Sequence, residues 1–139
     1  MIRYSDATDG LKTENLEGFF VGWPNPPSEE TFLRLLQRTH EIVLAIDDEN
    51  GRVVGFITAI TDGVLAAYIP LLEVLPSYQG KKIGTELVRR MLDKLESYYM
   101  VDLVCDESKV PFYSQFPFRP ATAMTIRRFE RQSGIEEHA

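Results

Sequence analysis

Beyond Gly84 the apolar residues Leu87, Val88, Met91, Leu92 and Leu95 recur at intervals of three and four, with Glu86, Arg89, Arg90, Asp93, Lys94 and Glu96 on the positions between. That period predicts a long amphipathic helix. Just ahead of it, residues 68–75 form an apolar run closed by Pro76, which lacks the N–H a ladder needs. This run predicts a buried strand. Two earlier runs, 42–47 and 53–61, are strand-like and separated by Asn50-Gly51; Asp62-Gly63 follows the second. Both dipeptides tolerate positive φ, so residues 42–74 predict an antiparallel meander of three strands.

The flanks carry weaker patterns. Residues 2–5 suit a short opening strand. Leu11, Leu16, Phe19 and Phe20 suit a helix from about Thr13, broken by Gly-Trp-Pro-Asn-Pro-Pro at 22–27. Ser28 reads as the N-cap of a second helix, with Glu29 and Glu30 in its first turn, Phe32, Leu33, Leu35 and Leu36 on its buried side, and an end near His40. After the central helix, residues 100–105 predict a short strand parallel to the one before it. A brief helix over 109–116, a final strand over 123–129 and a frayed tail over 132–139 complete the chain. The fold class expected is α/β (mixed α+β), with a mixed, mostly antiparallel sheet and helices on both faces.

Composition narrows the picture. A chain of 139 residues suits one domain spanning 1–139. The hydrophobic share of 44% and the charged share of 26% are ordinary for a soluble globular protein, and no apolar run approaches the roughly 20 residues of a membrane span. The first residues lack a signal peptide's apolar core. One cysteine, Cys105, and two distant histidines, His40 and His138, leave little from which to assemble a disulfide framework, a metal site or a triad. A cytoplasmic protein without metal or membrane partner is expected. The net charge of −6 argues against a nucleic-acid surface, although Lys81, Lys82, Arg89 and Arg90 make a local basic patch.

Between strand and helix stands Gln79-Gly80-Lys81-Lys82-Ile83-Gly84-Thr85. Glycines admit a ligand close to the backbone, and the N–H groups opening a helix have no partner inside it. Such an end attracts anions, phosphates above all, so a phosphate-bearing cofactor on this loop is the first expectation. The nucleotide P-loop pattern is absent, and hairpin-linked strands exclude a dinucleotide-binding fold.

The segment 79–84 resembles the Arg/Gln-x-x-Gly-x-Gly/Ala loop of the GCN5-related N-acetyltransferases, the GNAT superfamily, and Val74-Leu75-Pro76-Ser77-Tyr78 precedes it as in many members. Pro111-Phe112-Tyr113-Ser114-Gln115-Phe116-Pro117-Phe118 is similar to that family's Phe-Tyr-x-x-x-Gly-Phe, and the element order agrees over nearly the whole chain. Lys82 replaces the first loop glycine and Pro117 the glycine before Phe118. At a position of positive φ, a lysine costs about 1 kcal/mol or more.

The resemblance implies transfer of an acetyl group from acetyl-coenzyme A to the primary amine of a small-molecule or peptide acceptor, directly in a ternary complex; a homodimer is among the assemblies it suggests. It implies a pyrophosphate seat on residues 79–85, and a β-bulge that frees N–H groups near Val74 and Leu75 to polarise the thioester carbonyl. Tyr113 becomes the acid for the departing thiolate. Glutamate bases of the family stand at the places of Tyr68 and Pro70, neither a carboxylate here. Glu73 is the nearest candidate, although in a regular strand it alternates onto the face opposite Tyr68. A buried carboxylate is costly unless satisfied, so Glu73 is either a base of raised pKa or a structural group with partners. Failing it, water carries the proton and Tyr68 orients the water. Asp106 and Glu107 fall near the pantetheine arm or cap a helix; Cys105 reads as a small buried hydrophobe. Phe19 and Phe20 read as core, and Trp23 as a wall of the acceptor entrance. A second reading is a coenzyme A-binding module of the same fold with little or no catalysis.

Overall fold

Five strands, β1 (Ile2–Ser5), β2 (Glu41–Asp47), β3 (Arg52–Thr61), β4 (Ala66–Val74) and β5 (Met100–Leu103), form one sheet in chain order. The computed structural model describes residues 1–136. Strands β1 to β4 are antiparallel to their neighbours, while β5 runs parallel to β4. The helices are α1 (Glu29–Arg38), α2 (Ile83–Lys94) and the single turn α3 (Val110–Tyr113).

The apolar stripe of α2 lays Ile83, Leu87, Val88 and Met91 against Val54, Ile57, Ala59 and Ile69 on one face of the sheet. Gly55 permits the close approach: a Cβ there would stand 3.1 Å from Leu87 Cδ1 and 3.3 Å from Ile83 Cγ2. On the other face, Phe32 and Leu36 of α1 join Leu16, Phe20, Leu44 and Phe56. The rings of Phe19 and Phe56 meet edge-on at 5.2 Å. Ser28 caps α1, its hydroxyl accepting the Thr31 N–H at 3.1 Å. Helices on both faces of a mixed sheet are thus the architecture that the hydrophobic pattern predicts.

Four expectations need correction. The helix expected from Thr13 is only one turn of 3-10 geometry, Thr13–Leu16. Gly18, Phe20 and Gly22 have φ of 94°, 63° and 82°, and alternate left-handed residues make the chain wind instead of spiral. The brief helix is shorter than expected: α3 has four residues, preceded by a 3-10 turn, Glu107–Lys109. The strand expected over 123–129 does not form. Residues 118–128 have no regular structure, and Met124 and Ile126 are 97% and 75% exposed. Alternation alone makes no strand without an edge to pair with, and this segment leaves the sheet. The chain that follows it is tied to α1 and to the loop before α1: Asn25 Nδ2 donates to Phe129 O at 2.9 Å, Asn25 N–H donates to Gln132 Oε1 at 3.2 Å, and Arg34 of α1 donates to Ile135 O. The start of the expected frayed tail is therefore docked, while His138 lies outside the described residues.

Candidate active site

A bulge in β4 creates the site. Thr58 pairs with Leu71 and Ile60 with Tyr68, so two steps along β3 oppose three along β4 and the extra residue falls at Ile69-Pro70. Proline suits that place because it has no N–H to leave unpaired. The extra residue reverses the strand's alternation. Before it, Ala67 and Ile69 face the α2 core; after it, Leu72 and Val74 do, while Leu71 packs on the opposite core. Glu73 consequently shares a face with Tyr68, contrary to the regular-strand expectation. The bulge lies several residues before Val74 and Leu75, where the resemblance put it.

Pairing between β4 and β5 also stops here, at Ile69 opposite Leu103. Past that point the strands part around a cleft of about 1060 Å³, walled by residues 69–74 on one side and by Leu103, Val104, Cys105 and Asp106 on the other. Leu75 N–H donates to Val54 O at 2.8 Å, which makes Gly55 and Val74 a non-hydrogen-bonded pair. The Val74 N–H therefore points away from β3, into the cleft. Leu75 is a correction: its N–H is occupied and its side chain is 2% exposed, so only Val74 of the expected pair offers a donor.

At the end of the cleft stand Gln79, Gly80, Lys82, Ile83, Gly84 and Thr85. The first hydrogen bond of α2 runs from Glu86 N to Lys82 O at 3.1 Å, leaving the N–H groups of Ile83, Gly84 and Thr85 without a helical acceptor. No side chain caps them. Gly80 has φ 79° and open space where a Cβ would stand. Lys82 has φ 64°, the strained alternative for a lysine at a glycine position. Gln79 Nε2 donates to Val74 O at 3.0 Å and ties the loop to β4. Lys81 does not line the cleft; its ammonium lies 5.2 Å from the centre of the Tyr78 ring. These bare donors beside an open backbone fit the pyrophosphate of a coenzyme A.

Tyr113, at the end of α3, faces the same cleft. Its ring packs edge-on against Phe112 at 4.9 Å and Phe118 at 5.9 Å. Its hydroxyl has no protein partner among the described residues. Burial, and secondarily a charge interaction with neighbouring Cys105, push its pKa up to about 12. Tyr113 is thus a protonated hydrogen-bond donor at any ordinary pH.

Glu73 lines the cleft, but both its oxygens are engaged: Oε1 accepts the Phe20 N–H at 2.9 Å and Oε2 the Val21 N–H at 3.2 Å. Of the two readings of this carboxylate, the geometry shows the satisfied one. Tyr68 is a further correction. It sits where β4 still pairs with β5, opposite Asp102, outside the cleft lining, which leaves no geometric basis for orienting water there. Asp106 lines the cleft without a side-chain cap bond to the turn it precedes. Cys105 is half-buried in the cleft wall. His40 Nδ1 accepts the Thr61 N–H at 3.1 Å, a structural tie. Among the described residues no group of three His, Cys, Asp or Glu is placed to hold a metal, and no helix is long and apolar enough to cross a membrane.

Val21 and Trp23 also line the cleft, as do Thr125 and Arg127 from the irregular segment. The sequence reading missed these two, as well as Lys109. No periodicity marks a residue that reaches a site by leaving the sheet.

A family model described as "Acetyltransferase (GNAT) family" matches residues 8–118. Among solved structures, a candidate acetyltransferase from Deinococcus radiodurans R1 is 46% identical with a TM-score of 0.95, covering 98% of this chain and 94% of that one. A GNAT family acetyltransferase from Streptococcus pneumoniae TIGR4 is 31% identical with a TM-score of 0.74, covering 92% and 98%. No curated protein matches the chain. With a family model matched over residues 8–118 and two GNAT-type structures at 46% and 31% identity, this chain belongs to the GNAT acetyltransferase family.

Proposed function

We propose that the protein transfers the acetyl group of acetyl-coenzyme A to the primary amine of an acceptor, directly within a ternary complex. The observation that carries this reading is the parting of β4 from β5 with the Val74 N–H turned into the gap. The N–H groups of Ile83, Gly84 and Thr85 seat the pyrophosphate at one end, with Lys82 adding charge. Acetyl-coenzyme A supplies the activated thioester. The Val74 N–H is held by β3 pairing in a position to bond a carbonyl oxygen, and such a bond strengthens as negative charge develops. Tyr113 donates a hydrogen bond to the departing sulfur. Its pKa of about 12 stands well above the roughly 8.5 of an alkyl thiol, so it stabilises a thiolate more readily than it surrenders a proton.

Glu73 acts here as a positioning residue, fixing Phe20 and Val21 beside the amine's path, and water removes the amine's proton. Each carboxylate oxygen retains a further acceptor site, enough to orient an incoming N–H. The protein works in this reading without metal, membrane or nucleic acid. Release of free thiol from acetyl-coenzyme A, followed across a panel of primary amines, tests the assignment. Stabilisation by acetyl-coenzyme A without turnover of any amine would instead identify a coenzyme A-binding module. The engagement of both Glu73 oxygens is what favours that second reading.

A further inference from the structure

We infer that the acceptor carries an anionic group, a carboxylate or a phosphate, and that Arg127 is the residue that selects it. The inference deepens the transferase reading and rests on it. Arg127 belongs to residues 118–128, which cross from the Tyr113 side of the cleft to α1 outside the sheet. The segment is irregular but held at both ends. Phe118 packs edge-on against the Tyr113 ring, and Asn25 clamps the Phe129 carbonyl, two residues past Arg127, at 2.9 Å. The segment is therefore anchored on both flanks, and Arg127 lines the cleft between those anchors.

The guanidinium itself is under-used. Its one hydrogen bond, Nη1 to the neighbouring Ile126 carbonyl at 3.4 Å, is long, and no carboxylate lies within 4.0 Å of it among the described residues. A guanidinium has five donors in a planar fork that matches carboxylate and phosphate oxygens. Of the two carboxylates lining the cleft, Glu73 is tied to Phe20 and Val21, and Asp106 stands after β5 on the wall opposite Glu73. The other cations lining the cleft, Lys82 and Lys109, stand in the loop before α2 and just before α3. In a chain of net charge −6, an arginine that lines the same cleft as Trp23, Val74 and Tyr113 and has no carboxylate partner among the described residues favours an amine whose far end is negative.

The test uses matched amines on the full chain: glycine against glycinamide, and phosphoethanolamine against ethanolamine. Thiol release is read for wild type, Arg127→Ala and Arg127→Lys, and acetyl-coenzyme A binding is measured separately. One anionic member should exceed its neutral partner at least tenfold in kcat/KM. Which pair shows it separates carboxylate from phosphate. The ratio should fall near one in Arg127→Ala and recover in part in Arg127→Lys, while cofactor affinity stays within twofold. Neutral amines turned over as well as anionic ones overturn the inference. So does a preference that survives Arg127→Ala, or a loss confined to cofactor affinity. Cofactor binding without turnover of any amine removes the transferase reading, and this inference with it; turnover without charge preference removes this inference alone.

Discussion

The carboxylate of Glu73 reaches from β4 to the backbone of Phe20, accepting its N–H at 2.9 Å while the second oxygen takes that of Val21 at 3.2 Å. Phe20 has φ 63°, a conformation an aromatic residue seldom adopts, and its ring is buried among Phe32 and Phe56. The contact thus holds a strained loop against the cleft and couples that loop to the strand that carries the Val74 N–H. Of the two roles that the sequence leaves open for this carboxylate, base and structural group, the bonds in the fold are those of the second.

Glu73→Gln distinguishes structural group from base. The amide can accept one of the two N–H bonds but presents its own donor to the other, so stability should fall by about 1–3 kcal/mol. The acceptor KM should rise while the acidic limb of the pH–rate profile keeps its position. Disappearance of that limb in the variant, with stability unchanged, would return Glu73 to the role of base.

Lys82 offers a case in which stability and function part. A left-handed residue other than glycine costs about 1–2 kcal/mol, and glycine's own chain entropy gives back roughly 0.5–1 of it. Lys82→Gly should therefore stabilise the fold by about 1 kcal/mol or less, up to roughly 3–4 °C in Tm for a domain of this size. It also removes an exposed charge beside the phosphate seat, which should weaken acetyl-coenzyme A by up to about fivefold. Differential scanning calorimetry and a cofactor titration read the two effects. A Tm that falls would show that the lysine side chain, and not its backbone, decides the position.

The contrast between what the chain shows and what it conceals follows from range. The α2 stripe, the Ser28 cap, the meander and the loop 79–85 are local patterns that need no knowledge of distant residues. The bulge at Ile69-Pro70 is different. One inserted residue reverses the facing of everything after it, and nothing in residues 71–74 records the reversal. Arg127 and Glu73 escaped correct placement for related reasons. Arg127 arrives on a segment whose alternation suggests a strand, and the partners of Glu73 lie 52 and 53 residues away in a loop that reads as helix.

A second tie, on the far side of the cofactor loop, sets a pH window for stability. Tyr78 donates its hydroxyl to Asp47 Oδ2 at 2.6 Å, and Asp47 also accepts the Glu49 N–H at 2.9 Å. The Tyr78 bond first, and the Glu49 bond next, hold the Asp47 carboxyl below its usual range; the bond to Asp47 raises Tyr78. A depressed carboxyl contributes stability that is full above its unfolded value near 4 and lost as pH falls through the folded one. A raised phenol contributes below about 10 and loses its effect as pH rises through its folded value. The Tm difference between wild type and Tyr78→Phe should accordingly be flat from about pH 4 to 10 and shrink outside. A difference undiminished in strong acid would mean that Tyr78 acts through packing and not through this bond.

Tyr113 carries the sharpest mechanistic prediction. Burial holds its pKa at about 12, so the hydroxyl stays protonated across the range in which the enzyme can be assayed. Tyr113→Phe keeps the ring against Phe112 and Phe118 and removes only the donor. Acetyl-coenzyme A affinity should change little, whereas kcat should drop by roughly 10- to 100-fold, the value of a hydrogen bond to a charged sulfur of about 1.5–3 kcal/mol. The raised phenol also fixes what pH should do. Because the donor form is the neutral one and persists far above pH 10, any alkaline decline between pH 8 and 10 belongs to another group and must survive in Tyr113→Phe. Rate profiles of the two proteins over pH 6–10 decide it. An alkaline limb that vanishes with the hydroxyl would mean that the bound cofactor lowers the phenol into the working range and that Tyr113 does transfer its proton.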